Sequence, residues 1–299
     1  MKILLVILLL MWLIPTTASA DQCQSNFTLD ALKTLKKNQF VVSDSKLRNH
    51  VALKLLACLG HSDPKVRDGI VYEASSHWLR NELLTPTTIK SMFDSLIEIL
   101  KQPNQDPLNF TQPFAALVLS EVIRVDRITP YLTDVERQKS VNVTSAYMGN
   151  INDYRGFDDA QGWRHSVAHT ADIFLQLALN KKVTKQQLSQ LLTAIKSQVI
   201  PKEPHFYIYG EPKRLALPLV YIVLRGLHTE AELVSLLESI VDPTPYGNWQ
   251  SVYTSNQGLA KLHNTRSFIN SVLALAMQSD NEMLKTLKPK LIEFLQTIG

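Results

Sequence analysis

An all-α fold is what this sequence predicts, and three observations carry the prediction. Apolar residues recur at spacings of three and four, as in Val51-Leu55-Leu59, Met92-Leu96-Leu100, Leu188-Leu191-Leu192-Ile195 and Leu233-Leu236-Leu237-Ile240. That period lays one apolar stripe along a helix. No short run alternates apolar and polar residues between hairpin turns, as a half-buried strand requires. The punctuation is helical too. Ser25 to Thr28, Ser43 to Ser45, Thr85 to Thr87 and Thr133-Asp134 place capping side chains ahead of amphipathic runs. Pro64, Pro86, Pro113 and Pro212 sit at or near first turns, where a missing N–H removes no intrahelical bond.

In chain order, helices are expected over residues 28–38, 45–59, 64–81, 87–103, 111–125, 133–149, 162–181, 184–199, 212–226, 229–241, 256–278 and 280–297. With their loops they average about 23 residues, or about 46 per pair, the period of stacked helical pairs. The prediction is therefore one domain over residues 21–299, an α-solenoid of about six stacked pairs; a closed α/α toroid is the alternative. Within it, Leu59-Gly60-His61-Ser62-Asp63-Pro64-Lys65-Val66-Arg67 resembles the inter-helix turn of HEAT repeats, with Asp-Pro capping the second helix. Two linkers are long, 201–210 and 242–255. The first holds Pro201, Pro204, Phe206, Tyr207 and Tyr209, the second Pro243, Pro245, Tyr246, Trp249 and Tyr253. Such loops either line a binding site or plug the space between helix layers.

The first twenty residues read as a secretory signal peptide: Lys2, an apolar run from Ile3 to Ile14, Pro15, then Ala18-Ser19-Ala20 before the expected cut. Twelve apolar residues rise only about 18 Å as a helix, short of a hydrocarbon core of about 30 Å, so an anchor is disfavoured. The later apolar run Leu215 to Leu224 is interrupted by Pro218, and no membrane span is expected after cleavage. The predicted location is periplasmic or secreted, where disulfides persist. A Cys23–Cys58 bridge would tie the new N-terminus to the second helix and stabilise by about 3–4 kcal/mol on the chain-entropy model. A net charge of +4 is too small to argue for nucleic acid, and two cysteines exclude a four-Cys zinc module. Asn26, Asn109 and Asn142 head glycosylation sequons.

Chemistry concentrates in Asp153-Tyr154-Arg155-Gly156-Phe157 and in Gly162 to Asp172. Placed on a helix from residue 162, His165, His169, Asp172 and Gln176 share a strip about 60° wide. Ala171, Phe174 and Ala178 fall opposite, so the strip is expected at solvent or turned toward a groove. Two histidines and an aspartate suit a divalent metal such as zinc. Without metal, Asp172 orients a histidine that moves a proton, or the strip bonds neighbouring helices. The catalytic candidates are His165, His169, Asp172 and Glu211, and the metal candidates are the first three. Ligand-binding candidates are Arg155, Trp163, His165, His169, Asp172, Arg214 and Asn264. Glu211 and Arg214 are spaced for an i,i+3 ion pair, and Arg155 either takes a ligand carboxylate or pins its loop. No phosphate-binding Gly-rich loop, Gly-x-Ser-x-Gly elbow or Cys-His nucleophile is present.

Several of these stretches together resemble the bacterial domain-of-unknown-function family 2785. They are Leu59 to Asp68, Phe114 to Leu119, Asp153 to Phe157, Gly162 to Asp172, Glu211 to Leu215 and Lys261 to Asn264, in order from about residue 40 to 280. The resemblance implies a HEAT-like all-helical protein of bacterial origin and assigns no residue a role. The chain departs from the pattern at Lys213, where an acid is usual, and at Thr170, where Gly is usual. The expectation is an exported helical-repeat protein that binds a small molecule, glycan or protein through a polar groove around His165, His169 and Asp172. The alternative is a hydrolase or lyase acting on cell-envelope glycan or peptide, with or without metal.

Overall fold

A computed structural model describes residues 23–299; the expected leader, residues 1–20, lies outside the described residues. The described chain is helical almost throughout, and each of the twelve expected segments has a counterpart. In order these are α1 (Leu29–Lys37), α2 (Ser45–Leu55), α3 (residues 64–80), α4 (Pro86–Lys101), α5 (Thr111–Ile128) and α6 (Asp134–Asn150). There follow α7 (Ser166–Leu179), α8 (Lys185–Val199), α9 (Glu211–Leu224), α10 (Glu230–Ile240), α11 (Asn256–Met277) and α12 (Glu282–Ile298). The caps act as the sequence predicts. Asp63 accepts from Lys65 N ahead of Pro64, Thr85 caps α4 before Pro86, and Thr133 with Glu136 closes a capping box on α6. In α3 the middle, Arg67–Tyr72, is wound as π-helix, a local widening frequent at functional sites.

The helices pack in two rows. In one, α3, α5, α7, α9 and α11 are successive neighbours; in the other, α2, α4, α6, α8, α10 and α12 are. Among the described residues, no extensive packing joins α1–α3 to α11 or α12. Side chains bridge along each row at the distance of one helical pair in sequence. Arg127 Nε donates to Gln176 Oε1 (2.9 Å, 49 residues apart) and Gln198 Nε2 to the Met148 carbonyl (2.6 Å, 50 apart). The core between the rows includes the buried rings of Trp78, Phe93, Phe114, Phe174 and Phe268. Small buried residues on facing helices, Ala115 and Ala116 on α5 and Ala171 and Ala178 on α7, let that pair approach closely.

The expected disulfide joins Cys23 to Cys58, which lies in the 3₁₀ turn Leu56–Cys58 closing α2. No helix among the described residues is long and apolar enough to cross a membrane.

One expected element is corrected. The helix placed over 162–181 begins only at Ser166. Ahead of it, β1 (Phe157–Asp158) and β2 (Gly162–Trp163) pair antiparallel, Phe157 against Trp163 and Asp158 against Gly162. The Asp158 carboxylate accepts from Ala160 N and Gln161 N and makes the turn. A distant side chain holds the hairpin: Arg67, fully buried, donates to the carbonyls of Gln161 (2.7 Å) and Trp163 (3.3 Å). The same guanidinium lies 3.8 Å from the centroid of the Phe110 ring. Two-residue strands with a partner 94 residues away carry no periodic signal.

Candidate functional site

The late start of α7 changes the site. His165 is not on the helix but just before it, in the left-handed region at φ 59° and ψ 38°. Backbone bonds hold it there: Arg164 N donates to Gly156 O (2.9 Å) and His165 N to Arg155 O (3.1 Å). The i,i+4 helical pairing expected for His165 and His169 is therefore not the geometry, although their rings still meet edge-on with centroids 5.7 Å apart. The strip, expected at solvent or turned toward a groove, is buried at His165 and His169 and half-buried at Asp172 and Gln176. His165 is 8% and His169 6% exposed: Trp163 of the hairpin and Tyr207 of the 201–210 loop stand about His165, and Phe114 packs on His169.

That cover is aromatic. Trp163 stacks on His165 with centroids 4.6 Å apart and planes at 21°. Phe157 and Tyr209 pack on the other sides of Trp163, and the Tyr209 hydroxyl donates to Phe157 O at 3.2 Å. Gly156 is required beneath them, since a Cβ there would fall 2.0 Å from the Tyr209 ring.

Below the aromatics, His165 Nε2 lies 3.5 Å from Glu211 Oε1 and has no hydrogen-bond partner at closer range. Glu211, 2% exposed, also accepts from Tyr209 N at 3.0 Å. The expected Glu211–Arg214 pair does not form. Arg214 reaches from α9 to α7 instead, grips both carboxylate oxygens of Asp172, and donates from Nε to Oδ1 at 2.9 Å. Burial pushes the Asp172 carboxyl above its ordinary value and Arg214 opposes the shift. His169 pairs its Nδ1 with the Pro113 carbonyl at 3.1 Å, which makes that nitrogen the donor. Burial first, then the neighbouring His165 and Arg214, hold its pKa well below the usual imidazole value.

The structure thus brings Trp163, His165, His169, Asp172, Glu211 and Arg214 together. Arg155 stands beside them and pins its loop: its Nε donates to Asp153 Oδ1 at 2.9 Å. Asn264 works at the same remove, accepting from Tyr207 N (2.9 Å) and donating to His205 O (2.8 Å), so it fastens the 201–210 loop to α11. The zinc arrangement does not fit. No group of three or more His, Cys, Asp or Glu among the described residues is placed to hold a metal ion, and Asp172 has both oxygens taken by Arg214.

Sequence reasoning missed the continuation of the strip onto α3 and α5. Arg80 donates from Nε to Glu121 Oε2 at 2.9 Å and Tyr72 from its hydroxyl to Oε1 at 3.4 Å. A lone acid in the apolar run Phe114 to Ile123 was the available signal: a carboxylate buried there needs a partner. Arg67, beside Asp68 just after Pro64, offered the same hint.

Fold and site together define a helical protein with a half-buried strip of cross-helix ion pairs beside an aromatic cluster that covers His165. A family model matches residues 96–275, more than half of the chain, and the chain belongs to that family, described as a protein of unknown function (DUF2785). The match spans the strip from Glu121 to Arg214 and leaves Tyr72, Arg80 and the Leu59 to Arg67 turn outside. No curated protein and no solved structure matches the chain.

Proposed function

We propose that this is an exported helical-repeat binding protein, an open HEAT-like solenoid that takes a carboxylate-bearing ligand or partner along the α3–α5–α7–α9 row. The order of neighbours in the two rows supports the solenoid, and the disulfide with the leader supports export. One observation carries the binding reading. Along the strip the acids are already engaged by a neighbouring element, whereas the guanidinium edges remain accessible: the Arg80 side chain is 53% exposed over a Glu121 that is 6% exposed. Arg214 stands over Asp172 in the same way. Such pairs present donors in a planar fork that fits a second carboxylate, and Phe157 and Trp163 supply an adjoining platform. Groups held this firmly position a ligand; they are poorly placed to shuttle protons.

A second reading, a hydrolase or lyase acting on cell-envelope glycan or peptide, rests on the buried His165–Glu211 pair, whose Nε2 is otherwise without a partner. A thermal-shift panel of acidic peptides and uronic-acid oligosaccharides separates the two. The expected outcome is stabilisation of the protein by at least one ligand, lost in Arg214→Ala and Trp163→Ala. Turnover of any panel member that disappears in His165→Ala at unchanged melting temperature would overturn the binding reading.

A further inference from the structure

A cleft of about 590 Å³ opens between the end of α4, the loop 103–110 and α6, and meets α7 only at Ser166. It is independent of the ion-pair strip. Its floor is apolar: Val143, Ala146 and Tyr147 lie three and four apart on α6, so they share one helix face. Its polar groups are carboxamides and hydroxyls, together with Lys101, an exposed cation paired with Glu98 at 3.9 Å. Gln112 gives its Nε2 protons to the carbonyls of Ile99 (3.1 Å) and Gln102 (2.8 Å), which leaves Oε1 as an acceptor. Asn142 accepts at Oδ1 from Gln138 (2.8 Å) and Gln190 (3.2 Å), which leaves its Nδ2 protons to donate. Asn150 projects from the same face of α6, exposed. The one acid on the wall, Asp153, is neutralised by Arg155 and by Asn109 Nδ2 at 2.7 Å.

At the inner end sits Ser166. It is 3% exposed and lines the cleft, and its Oγ, beside the Tyr147 hydroxyl, makes no hydrogen bond of good geometry. A buried hydroxyl in that condition is unfavourable unless something else completes it.

We propose that this cleft binds a neutral saccharide of one or two rings, with the apolar sugar face on Tyr147 and Ala146 and the sugar hydroxyls on Gln112, Asn142, Asn150 and Ser166. Each sugar hydroxyl both donates and accepts, which matches a wall that mixes free acceptors, free donors and hydroxyls without net charge. The volume lies within the usual range for small-molecule sites. An extended peptide fits less well, because it repeats same-facing amides about every 6.8 Å. The carboxamides of α6 stand eight residues apart with Ala146 between them, about 12 Å along the helix.

The test is a ¹⁵N NMR titration of the protein with maltose, cellobiose and N,N′-diacetylchitobiose, with a capped tri-alanine peptide as the competing class. One of the saccharides is expected to shift the side-chain amide signals of Asn142 and Asn150. Ala146→Trp, at an exposed position on α6, should abolish the shifts by filling the cleft. Ser166→Ala should weaken binding about tenfold, the scale of one lost buried hydrogen bond. No shift with any of the three sugars would overturn the proposal. So would undiminished binding in both cleft variants, or shifts from the peptide in place of the sugars.

Discussion

The two long loops are both rich in Pro and aromatics, yet they meet different fates. In 242–255 the tryptophan turns inward: Trp249 is buried, donates from Nε1 to the Val241 carbonyl at 3.1 Å, and sits under the Lys261 ammonium, while Tyr246 is half-buried and Tyr253 exposed. The loop ends in the 3₁₀ helix Gln250–Thr254, which packs on α11. In 201–210 the chain is extended and alternates: Tyr207 is buried, Phe206 and Ile208 are exposed, and Tyr209 lies over Trp163. The first loop plugs a gap between helices; the second roofs the candidate site. The difference lies in how each backbone is satisfied. One is held chiefly by its own turns, with a single side-chain bond from α11, Lys261 Nζ to the Thr244 carbonyl. The other takes its hydrogen bonds from Asn264 and His263 on α11, and this leaves alternate side chains free to face outward.

Three changes would break or sharpen that contrast. The largest effect is expected from Gly258→Ala, under the plugging loop, where the new Cβ would fall 2.1 Å from the Val252 carbonyl oxygen. Backbone must move there, so denaturant unfolding should show a loss of about 3 kcal/mol, with ligand binding by the surviving folded protein intact. A loss under about 1 kcal/mol would mean the 242–255 loop is not a tightly packed plug. Next is Asn264→Ala, beneath the roofing loop. It orphans Tyr207 N and the His205 carbonyl and should cost about 2 kcal/mol. Amide exchange should rise at residues 205–209 and not at 249–253; equal protection in both would refute the pinning role.

The smallest effect is on pH. Burial lowers the His205 and His169 pKa values, so on acidification the unfolded chain takes up their protons first. Their contribution is full above about pH 6.5 and is lost as the pH falls below it. Asp172, shifted upward by burial, works in the opposite sense. The 242–255 loop contains no histidine. Asp242, at its start, is held below the ordinary carboxylate value by the backbone N–H of Thr244, so its contribution is lost only below about pH 3.9. Amide protection factors across 201–210, corrected for the intrinsic pH dependence of exchange, should therefore fall as the pH drops below about 6.5 while those of 242–255 hold. Simultaneous loosening of both would argue against this account.

The same contrast shows what was legible in the chain. Both loops could be seen as loops, and both as aromatic, but nothing local distinguishes Trp249, which faces in, from Tyr209, which faces a neighbouring hairpin. The site was legible to a similar depth. The cluster of Trp163, His165, His169 and Asp172 with Glu211 and Arg214 is real, whereas its pairing was misread. Glu211 and Arg214 stand three apart, at the spacing of an intrahelical bridge, yet each finds a better-placed partner on or beside α7.

The helical segments, their caps and the Cys23–Cys58 bridge followed from the sequence by itself, because periodicity, capping and the choice between two cysteines are matters of near neighbours or of elimination. Tertiary structure alone decided where α7 begins, why His165 is left-handed, and which cation meets which carboxylate. Those outcomes depend on groups such as Arg67 and Gln161, 94 residues apart, which only the packed rows bring into hydrogen-bonding range.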